Sequence, residues 1–192
     1  KPGAPTPTGR YVPPMTAVFV HGVPETARVW DPLIAELERT DVVCLSLPGF
    51  GTPVDFEPTM QRYAEWMAGE LERFDEIDLV THDWGALLAL RVLSPRPGNV
   101  RSWVVDVGDL GPDHRWHDLA LLWQTPGEGE AFMDSVVDST VEARTEMMVA
   151  TGIPAAGAPA MAEAWDRRMS DAILGLYRSA TDVGVEWGPG ID

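Results

Sequence analysis

Four short strand-like runs, Thr16–Val20, Val42–Leu47, Ile77–Val80 and Val100–Val107, alternate with segments whose apolar residues recur at helical spacing. Val29, Trp30, Leu33, Ile34 and Leu37 mark the first such segment, Met60, Tyr63, Met67, Leu71 and Phe74 the second, and Trp84 to Leu93 the third. A strand covered on both faces reads as an unbroken apolar run, whereas a half-exposed strand alternates with polar residues. Glycine or proline closes each of the first two runs, at Gly22 and at Pro48–Gly49–Phe50–Gly51, and the third helix stops before Pro95 and Pro97. Strand and helix in strict alternation predict an α/β fold, a parallel sheet joined by right-handed crossovers.

Beyond Gly108 the pattern changes. Trp116 to Ala180 has helical periodicity, with breaks near Pro126–Gly127 and from Gly152 to Pro159. Met161, Trp165, Met169, Ile173 and Leu176 form one apolar stripe, which implies packing against something and no more. The Gly-rich tail from Gly184 to Asp192 is expected to add no element. The chain therefore divides into a leader (1–14), a core (15–108) and a helical cap with its tail (109–192). Lys1 is the only lysine, and the leader is rich in Pro, Gly and Thr; it reads as a tag or flexible arm ahead of a native start at Met15.

At 192 residues, 45% hydrophobic and 23% charged, the chain can bury the core of one domain. A net charge of −16 repels phosphate backbones and anionic lipid headgroups, which argues against nucleic acid and membrane surfaces as partners. No apolar run is long enough for a membrane span, and no secretory leader precedes Met15. The single cysteine, Cys44, has no internal partner for a disulfide. These features point to the cytoplasm.

The chemistry concentrates at Thr81–His82–Asp83–Trp84–Gly85–Ala86, where a strand runs straight into a helix. A sharp strand-to-helix turn of the form small-x-nucleophile-x-small lifts its central side chain above the sheet, beside the positive helix end. Asp83 is that residue. Its carboxylate can attack carbon and form an ester, although an aspartate there can also simply cap the helix. His21–Gly22–Val23 ends the first strand, and the Val23 and Trp84 N–H groups together would make a two-donor oxyanion hole. His21 itself is expected to brace the loop and transfer no proton.

His21–Gly22–Val23–Pro24–Glu25, Leu47–Pro48–Gly49–Phe50–Gly51 and His82–Asp83–Trp84–Gly85–Ala86 together resemble the motifs of α/β-hydrolases with an aspartate nucleophile. Epoxide hydrolases are the nearest in pattern, and haloalkane dehalogenases are close to them. The resemblance implies an α/β-hydrolase-type parallel sheet under a helical cap, with the family's first two strands and its last strands absent here. Trp123–Gln124–Thr125–Pro126–Gly127 and Leu176–Tyr177–Arg178 are similar to cap segments of epoxide hydrolases, which makes Tyr177 an epoxide-activating donor. A second such tyrosine would fall near Leu119, which cannot donate. In dehalogenases an indole after the nucleophile holds the halide, and Trp84 matches it. Trp123 or Trp116 would then be the second donor, because Val23 stands where an asparagine would.

The resemblance also implies an acid and a late water-activating histidine. Asp106 matches one position of the acid, and a role capping the turn at Gly108 fits it equally. No residue matches the histidine. His114 and His117 have metal-compatible spacing but lack further ligands, so neither a metal nor a cofactor is expected. The expected function is hydrolysis of a small apolar substrate through an aspartyl ester, epoxide hydrolase-like. Haloalkane hydrolysis and non-catalytic ligand binding are the alternatives. A further C-terminal segment carrying the histidine would complete the site, and a sheet edge left exposed where strands are absent invites pairing into a homodimer.

Overall fold

The computed structural model describes residues 15–190, so the expectations placed on the leader lie outside the described residues. Four strands, β1 (Thr16–Val20), β2 (Val42–Leu45), β3 (Ile77–His82) and β4 (Val100–Asp106), form one sheet in the order β2-β1-β3-β4. Every pairing is parallel, as the strict alternation of strand and helix predicts.

Right-handed crossovers then fix where the helices lie. The chain steps from β1 to β2 in one direction, through a 3₁₀ turn (Ala27–Trp30) and α1 (Asp31–Glu36). It steps back from β2 to β3 through α2 (Met60–Leu71), and on from β3 to β4 through α3 (Trp84–Leu93). The reversal puts α1 on one face and α2 with α3 on the other. Core packing follows that division: Ala17 and Phe19 of β1 pack with Trp30 on one side. Val18 and Val20 join Met67, Leu71 and Leu88 on the other. Reversal of strand order also opens a crevice at the carboxyl ends of β1 and β3, where open α/β sheets place their ligands.

The first helical segment is less regular than its spacing implies, because Pro32 restarts the chain as α1 after the 3₁₀ turn. Strand β2 ends two residues early because Leu47 turns away to donate its N–H to His21 Nε2 at 3.0 Å. Among the described residues, six α-helices follow β4, α4 (Asp118–Gln124), α5 (Glu128–Asp138), α6 (Val141–Ala150), α7 (Ala158–Ala164), α8 (Arg167–Arg178) and α9 (Val183–Trp187), and a 3₁₀ turn (Gly188–Gly190) comes after them. Side-chain caps begin several of them: Thr140 accepts from Ala143 N–H for α6, and Asp166 from Met169 N–H for α8.

Helix α9 corrects the expectation that the tail adds no element. Val183 and Trp187, one helical turn apart, are both buried. Gly184 and Gly188 permit this, since a Cβ on either would come within 2.5 Å of the Gly111 or Leu110 carbonyl oxygen. Elsewhere in this part of the chain, the buried guanidinium of Arg144 binds the carbonyl oxygens of Ala162 (2.9 Å) and Ser139 (2.6 Å), tying α6 to α7 and to the end of α5. Among the described residues, nothing pairs with the outer edge of β4, where Trp103 and Val104 are more than half exposed. No helix among them is long and apolar enough to cross a membrane.

Candidate active site

Asp83 precedes α3 with φ +51° and ψ −121°, a strained backbone for a residue with a side chain. It makes no side-chain cap to the helix, which removes the capping role considered above. Glycines on either side make the turn feasible. A Cβ on Gly22 would collide with the Asp83 side chain, and one on Gly85 would lie 2.5 Å from the Val20 carbonyl oxygen. β1, β3 and α3 can approach this closely only at those two positions.

The Asp83 carboxylate receives the Val23 N–H on Oδ1 at 2.7 Å, and the Trp84 N–H also supports it. The two amides picked out from the sequence therefore converge on the carboxylate itself. Oδ1 is held by the Val23 N–H. Burial raises the Asp83 pKa above the usual carboxylate range, while these two amides and the nearby His82 and His117 pull the other way.

Above Asp83 lies a cavity of about 1150 Å³ between the sheet and the later helices. Its wall is mainly apolar, with Leu33, Phe132, Met148 and Ile153 among the lining residues. Tyr177 on α8 lines it too, packed edge-on to Trp84 (5.4 Å between ring centroids) and Trp123 (4.8 Å). Burial, and then the charge of Asp83, push the Tyr177 hydroxyl well above its ordinary value, so it remains a protonated donor. The Trp84 indole N–H faces Tyr177 without closing to hydrogen-bond geometry, and neither it nor the Trp123 N–H has a partner. Leu119, at the place of the missing second tyrosine, lines the cavity.

Asp106 does not cap the turn at Gly108; it pairs with His82, whose Nδ1 lies 2.9 Å from Oδ2. On the other side of the imidazole, Nε2 lies 3.7 Å from Glu25 Oε1. Glu25 is buried and accepts the Gly22 N–H at 3.0 Å; burial raises its pKa, partly offset by that bond and by His82. The sequence reading gave neither Glu25 nor His82 a role. The available signal was that Glu25 lies three residues after Gly22, within reach of its N–H, and that His82 adjoins Asp83.

The remaining histidines have other duties. His21 Nδ1–H donates to the Gly22 carbonyl at 2.7 Å, and its Nε2 accepts the Leu47 N–H, which fits the expected bracing role. His117 Nδ1 accepts the Ala120 N–H and caps α4. Both ring nitrogens of His114 are buried without a hydrogen bond.

Burial brings the His21 pKa down from 6.5 to about 4. The unfolded chain then takes up the proton first, so the stability His21 contributes is complete above pH 6.5 and declines as pH falls toward 4. Its size is about 3 kcal/mol. Asp83 and Glu25, raised by burial, work in the opposite direction, so the comparison needs a variant. His21→Gln retains one donor and one acceptor. Urea unfolding from pH 7 to pH 4 is expected to show wild type losing about 3 kcal/mol relative to this variant. Parallel stability curves would contradict the assignment.

Sequence and structure comparisons agree with this architecture. The pattern of the Alpha/beta hydrolase family matches residues 17–189, and the chain belongs to that family. A haloalkane dehalogenase from Psychrobacter cryohalolentis is 31% identical over 90 residues, covering 42% of this chain and 29% of that protein. Haloalkane dehalogenase DbeA from Bradyrhizobium elkani USDA94 superposes with a TM-score of 0.70 at 20% identity, over 92% of this chain and 66% of that one. E-2-(acetamidomethylene)succinate hydrolase has a TM-score of 0.72 at 20% identity, over 92% of this chain and 69% of that one. This chain thus spans about two thirds of the solved structures it resembles.

Proposed function

We propose that the chain is a hydrolase that opens epoxides of apolar molecules through an ester on Asp83. The observation that carries this reading is the Asp83 carboxylate, seated on the Val23 N–H at the floor of an apolar cavity lined also by Tyr177. Residues 15–108 are then the catalytic core and 109–192 the cap. The unpaired Cys44 fits a reducing compartment, and we place the protein in the cytoplasm.

The free oxygen of Asp83 attacks a ring carbon, the carbon–oxygen bond breaks, and the developing alkoxide takes a proton from the Tyr177 hydroxyl. The ester carbonyl then occupies the Val23 and Trp84 amides, which stabilise the negative charge when water attacks it. Activity requires Asp83 as the anion and therefore rises with pH through its raised pKa.

A second reading, halide displacement by the same carboxylate, is favoured by the two unpartnered indole N–H groups of Trp84 and Trp123 and by the dehalogenase relative. Intact mass separates the two reactions. An epoxide adds its whole mass to Asp83, whereas a haloalkane adds only its alkyl group and releases halide. Tyr177→Phe is expected to slow ester formation with a styrene-type epoxide by about a hundredfold. It should leave displacement from a short haloalkane unchanged. An unaltered epoxide rate would remove Tyr177 from the reaction and favour the second reading.

A further inference from the structure

We propose that the cavity above Asp83 selects an uncharged substrate whose apolar body reaches from the carboxylate to a rim at Leu33 and Ile153. Those two rim residues set the preference for long molecules over short ones. This rests on the reading of Asp83 as the nucleophile, and it names the kind of molecule that carries the reacting carbon.

At about 1150 Å³ the cavity lies above the range of roughly 300 to 1,000 Å³ usual for small-molecule sites. A short haloalkane or a styrene-type epoxide would share that space with on the order of thirty waters held against apolar walls. A longer body displaces them, and each methylene moved from water to such a wall raises affinity about fourfold.

The wall has two levels. Trp123, Met148, Trp165 and Tyr177 line the cavity and are buried, so they belong to its depth. Pro32, Leu33, Thr151, Pro154 and Ala156 line it and are exposed, so they stand where it meets solvent. The rim thus joins the start of α1 to the loop between α6 and α7, with half-buried Ile153 in that loop. Leu33 is 44% exposed and packs into neither face of the core. Among the described residues it is the one large exposed hydrophobic side chain that lines the cavity. The fold leaves its burial to whatever fills the site. Met147 and Met148, unbranched and flexible, let the wall follow bodies of different shape.

Charge narrows the class further. Among the described residues no lysine or arginine lines the cavity, and its acidic lining residues are Glu25, Asp83 and Asp106. An anionic substrate would give up its hydration there and meet like charge, with no cation to offset the loss. A neutral molecule incurs neither cost.

Fluorescence titration of the full chain with straight-chain alcohols from butanol to decanol tests the cavity without requiring turnover, because Trp30, Trp123 and Trp165 line it. Affinity is expected to rise about fourfold per methylene through decanol. Leu33→Ser and Ile153→Ser should each weaken decanol about fivefold and leave butanol within about twofold of wild type. Decanedioate cannot fill the cavity without bringing a carboxylate to its floor, and should bind at least about a hundredfold more weakly than decanediol. Affinity that levels off at butanol or hexanol would overturn the proposal, as would equal binding of dianion and diol. Rim variants that spare decanol, or that weaken both alcohols equally, would overturn it too. Single-turnover ester formation with straight-chain terminal epoxides should follow the same dependence on length. If the alcohols show that dependence and neither an epoxide nor a haloalkane of any length forms an ester, the Asp83 reading has failed while the selectivity of the cavity stands.

Discussion

Asp83→Asn is expected to abolish ester formation and diol production, lowering the rate by roughly ten-thousandfold or more. The amide nitrogen is no nucleophile, and the oxygen that remains is the one the Val23 N–H already occupies. The same change should not weaken the fold. Asp83 is buried and its pKa is raised, so at neutral pH its charge opposes folding, and a neutral side chain of equal size relieves that penalty. Thermal unfolding at pH 7 is expected to show an equal or higher midpoint for the variant. Loss of activity with unchanged stability would place Asp83 in the chemistry. Retained activity would require another nucleophile.

Gly85→Ala is expected to produce the largest loss of stability from a single added methyl group. A Cβ at this position would lie 2.5 Å from the Val20 carbonyl oxygen and 2.7 Å from that of His21. Both are backbone atoms of β1 and the loop after it, so no flexible side chain can yield. Either α3 moves off the sheet or the β1 loop shifts, at a cost of about 3 kcal/mol. Either movement also displaces the Val23 N–H from Asp83, so stability and ester formation should fall together. Urea unfolding checks the first effect and single-turnover kinetics the second. An unchanged unfolding midpoint would show that the close approach at Gly85 is not required.

The parts of the molecule that could be read from the sequence are those governed by local patterns. β1, β3 and α3 follow from continuous apolar runs and helical spacing, and the elbow at Asp83 follows from small residues at fixed offsets. The Val23 amide could be anticipated because Gly22, lacking a Cβ, lets the chain turn tightly at the end of β1. The Glu25–His82–Asp106 cluster could not, because it depends on the register of β1, β3 and β4. His82 lies opposite Asp106 across the β3–β4 ladder, and no spacing along the chain encodes that neighbour. Helix α9 was missed for a related reason. Its glycines look like loop residues until the backbone of Leu110 and Gly111 is packed against them. Trp103 and Val104 read as core in any sequence pattern, yet at the outer edge of β4 both are more than half exposed.

The most direct test of Asp83 as nucleophile is a single turnover of excess enzyme with an epoxide in ¹⁸O-labelled water, followed by mass analysis of the diol and of the peptide containing residue 83. If water attacks an ester, one labelled oxygen enters Asp83, and the first diol released carries the oxygen that Asp83 held before. Label found in the diol, with none in that peptide, would mean that water attacks the epoxide directly and that no such ester forms.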